Sequence, residues 1–96
     1  MRKPTLTDVI LAEIGEERAR QDRLKSEGKF KYTCADDIHN ETRLAVLAEE
    51  VGEVARAVCE LMPATRANLP LGTTHLREEL IQVAAVCLAW VEGLDS

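Results

Sequence analysis

The sequence predicts an all-α fold, a helical bundle of about three helices in a single domain spanning residues 1–96. Hydrophobic residues make up 46% of the chain but aromatic residues only 3%, so the core must be aliphatic, which suits packed helices better than a sheet. Apolar residues also recur at the three- and four-residue spacing of helices. Glycine and proline fall between these periodic segments, where helices end.

The first predicted helix covers residues 7–27. Thr5 or Thr7 gives its start signal, and Gly28 its stop. A densely charged run at residues 16–23 is expected to be a solvated face. The apolar stripe of this helix is narrow and consists of Val9, Ile10, Ile14 and Leu24.

The connector that follows, residues 28–40, has no helical period. It alternates basic and aromatic residues at Lys29, Phe30, Lys31 and Tyr32. Such side chains can hold phosphate and stack on a base, or the aromatic rings can simply pin the loop to the bundle. Both interpretations remain open for this segment.

The second predicted helix, residues 40–62, has the clearest pattern, and Pro63 is expected to end it. Residues 63–73 contain two prolines and one glycine and are expected to form a loop. The apolar positions of the helix follow one continuous stripe that we expect to be buried: Leu44, Leu47, Ala48, Val51, Val54, Ala55, Val58, Leu61 and Met62.

The third predicted helix covers residues 74–92, with Thr74 as N-cap and Gly93 as the stop. Every residue from 80 to 91 is apolar except Gln82. A helix that is apolar on all sides has no face for solvent, and two other helices of one small chain cannot surround it. The pattern therefore predicts that dimerisation completes a four-helix-type core, in a homodimer or a dimer of dimers.

Charge and cysteine content narrow the classes of function. The net charge of −5 and the pI near 5.0 disfavour duplex nucleic acid as a partner, because phosphate neutralisation needs a basic surface. No apolar run is long enough for a membrane span, and the N-terminal residues do not resemble a signal peptide. Cys59 and Cys87 lie in apolar helical runs and are expected to be buried thiols of a cytoplasmic protein, with Cys34 in the connector.

Acidic residues at helical spacing form the main candidate site. Glu50 and Glu53 share one face of the second helix, as Glu79 and Gln82 do on the third. Crowded carboxylates persist only if they are protonated, paired with cations or bound to a metal ion. Carboxylates from facing helices can bind Mg²⁺. The alternative without a metal ion is that the carboxylates are solvated or form ion pairs with partners such as Arg43, Arg56 or Arg77.

Two segments, LAEEVGEVA at residues 47–55 and LREELIQV at residues 76–83, resemble the MazG-like all-α nucleotide pyrophosphohydrolases. That family carries E-E-x-x-E on one helix and E-x-x-D on the next. The resemblance covers about residues 40–94. It implies a dimeric four-helix-type bundle and Mg²⁺-dependent cleavage of nucleoside triphosphates to monophosphate and pyrophosphate.

The resemblance also implies roles for individual residues. Glu50, Glu53 and Glu79 match the metal ligands, and Glu49 matches the additional acid of the first motif. Gln82 stands where the family has Asp, and its amide oxygen can still bind Mg²⁺ but brings no charge, so metal affinity is expected to be lower. Glu49 or Glu50 is the candidate general base.

Two other functions remain open at this stage. The first is a non-catalytic dimerisation module, in which the carboxylates form a paired network and Gln82 is a buried polar residue that fixes the helix register. The second is a nucleotide-binding relative that has lost turnover through Gln82.

Overall fold

The computed structural model describes residues 2–96, and it is all-helical as the sequence predicts. Three helices follow one another, α1 (Leu6–Ser26), α2 (Asn40–Arg66) and α3 (Thr74–Asp95). No strand occurs in this part of the chain. α3 packs against both α1 and α2 and is therefore the central helix.

The ends of α1 lie where the sequence predicts them. Thr5 is the N-cap, and its hydroxyl oxygen accepts a hydrogen bond from the Asp8 amide at 3.1 Å, while the Asp8 carboxylate accepts one from the Thr5 amide at 2.9 Å. This capping box satisfies two amides that have no partner within the helix. At the other end Gly28 adopts a φ of +77°, the left-handed conformation that glycine adopts without strain.

The prediction that Pro63 ends α2 is wrong, because the helix continues to Arg66. Proline removes the hydrogen bond to the carbonyl four residues earlier, on Cys59, and its ring crowds that carbonyl, but Cys59 is exposed so that water can replace the lost amide. Asn68 provides the actual stop, with a φ of +56°. The amide of the following Leu69 then bonds the Ala64 carbonyl at 2.9 Å and closes the end of the helix.

Both predicted signals of α3 need correction. Thr73, not Thr74, is the N-cap, and its side chain makes no capping bond. Gly93 does not stop the helix, which continues to Asp95. A Cβ at Gly93 would clash with the Arg43 guanidinium and lie 2.7 Å from the Cys34 carbonyl oxygen, so glycine is needed here for close approach.

Arg43 is the buried side chain that fixes the connector between α1 and α2. Its guanidinium donates to the carbonyl oxygens of Cys34 at 2.9 Å and Asp36 at 2.7 Å, and to the Asn40 side-chain oxygen at 2.9 Å. Trp90 of α3 donates to the same Asn40 oxygen at 3.0 Å. Because Arg43 of α2 bonds two connector carbonyls and Trp90 of α3 bonds Asn40 of α2, the connector is held at one position against α2 and α3.

The prediction that the charged run at residues 16–23 is a solvated face is wrong for two of its residues. Arg18 and Gln21 are buried, and Arg18 bonds Glu92 of α3 at 3.1 and 3.2 Å and Asp22 at 2.6 Å. Burial of a guanidinium is tolerated here because two carboxylates accept its hydrogen bonds.

The core of the single chain is small. Its buried apolar residues are Cys34, Ala57, Ala85, Val86 and Ala89. The α2 stripe predicted to be buried is instead partly exposed, at Leu44, Ala48, Val51, Ala55, Val58 and Met62. Cys59 and Cys87 are exposed too, so their predicted burial is wrong for the chain by itself, whereas Cys34 is buried.

None of the helices in residues 2–96 has the length and apolar character that a membrane span requires.

Candidate functional site

α1, the connector, α2 and α3 enclose a cavity of about 450 Å³. The size is within the range of small-molecule sites. α1 contributes Glu17, Arg20 and Gln21, and α2 contributes Val46 beside two predicted catalytic residues, Glu49 and Glu50. α3 contributes Gln82 and Val86, and the connector contributes Lys29, Phe30, Lys31, Tyr32, Thr33 and Cys34.

The structure thus brings the basic and aromatic connector residues to the same cavity as the acidic motif of α2. Their placement follows from the Arg43 anchor and from an ion pair between Lys25 and Asp36 at 2.5 Å. Asp36 also accepts the Thr33 amide at 2.8 Å, which orders the turn beside the cavity. The cavity is therefore lined both by basic and aromatic side chains of the connector and by carboxylates of α1 and α2.

Gln82 contacts two of the predicted metal ligands. One atom of its terminal amide lies 3.2 Å from Glu50 Oε2 and 3.3 Å from Glu79 Oε2. As the amide nitrogen, this atom donates a hydrogen bond to each carboxylate. As the amide oxygen, it completes a set of three oxygens that would repel one another unless a cation lay among them.

Glu50 lies at the centre of the negative charge. Partial burial raises the pKa of Glu50, and the neighbouring carboxylates raise it further, Glu79 most, followed by Glu49, Glu53 and Glu17. Both the partial burial and the like charges disfavour the ionised form of Glu50, and a nearby cation would offset them.

Glu79 also contacts a histidine outside the cavity. His75 Nε2 lies 3.2 Å from Glu79, and its Nδ1 lies 3.1 Å from Glu60 of α2. The hydrogen bond to Glu60 and the charges of both carboxylates raise the pKa of His75. In the protonated state the imidazole donates to both acids and links α2 to α3.

The predicted site is brought together only in part. Gln82 contacts both Glu50 and Glu79, whereas Glu53 acts on Glu50 through its charge, and neither Glu53 nor Glu79 lines the cavity. No set of three His, Cys, Asp or Glu side chains within residues 2–96 converges closely enough to hold a metal ion. The donor chemistry, two carboxylates and an amide beside further carboxylates, fits a hard cation such as Mg²⁺.

The arginines proposed as alternative partners pair elsewhere. Arg56 approaches Glu60 at 3.6 Å, Arg77 bonds Glu13 of α1 at 2.5 Å, and Arg43 holds the connector. Within residues 2–96 no arginine or lysine forms an ion pair with Glu50, Glu53 or Glu79. The other arginine and lysine ion pairs in this part of the chain are Arg2–Asp8, Arg18–Asp22, Arg18–Glu92, Arg20–Glu17, Lys25–Asp36 and Lys29–Glu27.

Sequence reasoning missed Glu17 and Arg20 as cavity residues. They belong to a charged run that has the composition of a solvated face. For Glu17 the spacing gave a signal, because this residue lies on one helical stripe with Ile10, Ile14, Gln21 and Leu24. Arg20 lies outside that stripe.

Comparison of the chain with protein-family models, curated proteins and solved structures finds no match in any of the three.

Proposed function

We propose that the protein is a Mg²⁺-dependent nucleoside triphosphate pyrophosphohydrolase, which converts a (deoxy)nucleoside triphosphate and water to the monophosphate and pyrophosphate. The observation that carries the proposal is the contact of Gln82 with Glu50 and Glu79, beside a cavity with a basic and aromatic wall. The absence of arginine or lysine partners for these acids in residues 2–96 favours a cation site over a paired network.

Glu50, Glu53, Glu79 and Gln82 are the residues that would hold Mg²⁺. The ion would supply charge neutralisation for the polyphosphate oxygens. For Gln82 to present its oxygen, its amide must turn over from the orientation in which the nitrogen donates to both acids.

Glu49 is the better candidate for the general base in this arrangement. It lines the cavity, as Glu50 does, but does not share the contact with Gln82. Its carboxylate would accept a proton from the attacking water as oxygen bonds to the α-phosphorus. The bond from that phosphorus to the oxygen that bridges to the β-phosphorus breaks, and pyrophosphate leaves with the electron pair.

The connector supports the nucleotide part of the proposal. Phe30 and Tyr32 line the cavity and are partly exposed, so a base could stack on their rings, and Lys29 and Lys31 add positive charge to the same cavity. These residues line the same cavity as Glu49, so that base, phosphates and general base can share one site.

We also propose that the protein is a homodimer or a dimer of dimers. Large apolar side chains on α2 and α3 remain exposed in the single chain, including Val51 at 49%, Leu80 at 50% and Val91 at 53%. Extended exposed apolar faces are uncommon on monomers. Pairing of α2 and α3 with a second copy would give the four-helix-type core.

The contact of Gln82 also fits a nucleotide-binding protein without turnover, because a donating amide satisfies both acids with no metal ion. The test is pyrophosphate release from a panel of ribo- and deoxyribonucleoside triphosphates, with Mg²⁺ and with chelator. We expect release only with Mg²⁺, and loss of release in Glu50→Gln. Glu41→Gln, which removes an exposed acid from the start of the same helix, should behave as wild type. Nucleotide binding without release from any member of the panel would support the non-catalytic alternative.

A further inference from the structure

Arg20 is the arginine on the cavity wall, and Glu17 of the same helix holds it. Nε of Arg20 donates to Glu17 Oε2 at 2.8 Å, and Nη2 donates to Glu17 Oε1 at 2.9 Å. This two-pronged contact uses one edge of the guanidinium. Nη1, on the other edge, has no hydrogen-bond partner among residues 2–96.

The pair does not serve to hold the fold together. Arg18 joins α1 to Glu92 of α3, and Arg77 joins α3 to Glu13 of α1, whereas Arg20 and Glu17 lie three residues apart on one helix. Arg20 is 41% exposed and Glu17 only 15%. The exposed guanidinium therefore rests on a largely buried carboxylate, which fixes its direction.

The position of Arg20 distinguishes it from the other cations of the cavity. The Glu50 carboxylate is close enough to contribute to the raised pKa of Arg20, after the hydrogen bond and charge of Glu17. Arg20 therefore lies near the acidic motif of α2, in the same cavity as the connector residues Lys29 and Lys31. A phosphate that approached Glu50 would also approach Arg20.

We propose that Arg20 binds a phosphate group of the substrate through the Nη1 edge, and that Glu17 is the positioning residue that directs it. The inference rests on the proposed function in that the phosphate belongs to a polyphosphate bound with Mg²⁺. Planar guanidinium donors match phosphate oxygens in pairs, which the ammonium group of a lysine cannot do. In this arrangement the phosphates would bind beside Arg20, and the base would stack on the rings of Phe30 and Tyr32.

The test uses the full-length protein and inorganic tripolyphosphate with Mg²⁺, titrated by calorimetry. We expect Arg20→Gln to weaken binding at least tenfold and Arg20→Lys to recover only part of the loss. Glu17→Gln keeps Arg20 but loosens its orientation, so binding should weaken by a smaller factor. Arg23→Gln, a change to an exposed arginine on the same helix, should bind as wild type.

The same variants separate this inference from the hydrolase proposal. If the wild type releases no pyrophosphate but Arg20→Gln still lowers the affinity for tripolyphosphate, the proposed reaction is wrong and the proposed phosphate site is supported. If the wild type hydrolyses triphosphates and Arg20→Gln keeps both its KM and its tripolyphosphate affinity, the Arg20 assignment is overturned. Failure of the wild type to bind tripolyphosphate at all would also overturn it. Unchanged helical circular dichroism in the variants excludes misfolding as the cause of a loss.

Discussion

At the scale of single residues, the candidate site depends on how Gln82 satisfies Glu50 and Glu79. The helical spacing of the acids was readable from the sequence, and so was the departure at Gln82. Their actual grouping was not, because it depends on how α3 rotates against α2. The buried Arg18 and the cavity residue Arg20 were missed for a similar reason, since charge on one helix does not reveal which side chains another helix covers.

Gln82→Asp tests which atom of the amide matters. If Gln82 binds Mg²⁺ through its oxygen, the added carboxylate should tighten Mg²⁺ binding and raise hydrolysis. If Gln82 instead acts only as a hydrogen-bond donor, Asp would add a third unpaired acid beside Glu50 and Glu79, and the melting temperature would fall without a gain in binding. Calorimetric titration with Mg²⁺ distinguishes the two, with Glu78→Gln on the exposed side of α3 as the control.

Glu49→Gln separates the general base from the metal ligands. We expect turnover to fall about 10²- to 10⁴-fold, the usual contribution of general base catalysis, with Mg²⁺ affinity unchanged. Glu53→Gln should instead weaken Mg²⁺ binding. Steady-state kinetics and Mg²⁺ titration of both variants check the assignment. The assignment is wrong if Glu49→Gln weakens Mg²⁺ binding and Glu53→Gln does not.

The raised pKa of Glu50 gives a pH dependence of stability without metal. Burial and neighbouring carboxylates make the folded state bind the Glu50 proton more tightly than the unfolded state, so this group contributes less stability as pH rises through its folded pKa. Glu50→Gln removes the ionisation. In chelator, the free energy of unfolding of the variant should exceed that of wild type above this pKa, and the difference should vanish below pH 4.5, the usual value for Glu. A difference that does not vary with pH would contradict the burial of charge at Glu50.

At the scale of elements, the sequence predicts all three helices, both ends of α1 and the first residues of α2 and α3, but not the C-terminal ends of α2 and α3. Helix termini depend on left-handed residues and on tertiary contacts as much as on breakers. α2 continues for three residues beyond Pro63, to Arg66, and stops before Asn68, which has a left-handed backbone conformation. Gly93 shows that a glycine near a helix end can mark a close approach, here to Arg43, instead of a stop.

Gly93→Ala tests that close approach. The added Cβ would press on Arg43 and on the Cys34 carbonyl, and we expect a loss of about 1–3 kcal/mol in the free energy of unfolding, typical of overpacking. Gly15→Ala is the matched control, because a Cβ there has no neighbour within 4 Å and should stabilise α1 by about 0.5–1 kcal/mol. Urea denaturation of both variants measures the difference. Equal stabilisation by the two substitutions would show that Arg43 does not need the space.

At the scale of the whole molecule, the apolar surface of α2 and α3 exceeds what one chain covers. The sequence predicts this excess from the uninterrupted apolar run of α3, and the structure leaves Leu80, Leu88 and Val91 exposed. The predicted burial of the α2 stripe was wrong for the single chain because α3 covers only one side of α2.

Val91→Glu tests the dimer. A charge within the proposed interface cannot be buried without a partner, so sedimentation velocity at micromolar concentration should give the mass of a single chain. Leu11→Glu, a change to an exposed apolar residue of α1, should leave the mass unchanged. A monomeric wild type would remove the proposed four-helix-type core.

The proposed reaction is tested most directly by ³¹P nuclear magnetic resonance of a panel of nucleoside triphosphates, each incubated with the protein and Mg²⁺. We predict that the triphosphate signals are replaced by those of the monophosphate and pyrophosphate in equal amounts, and that chelator or Glu50→Gln abolishes the change while Glu41→Gln does not. Diphosphate with inorganic phosphate as products, or triphosphate signals that persist for the wild type with Mg²⁺ across the whole panel of nucleotides, would contradict a pyrophosphohydrolase.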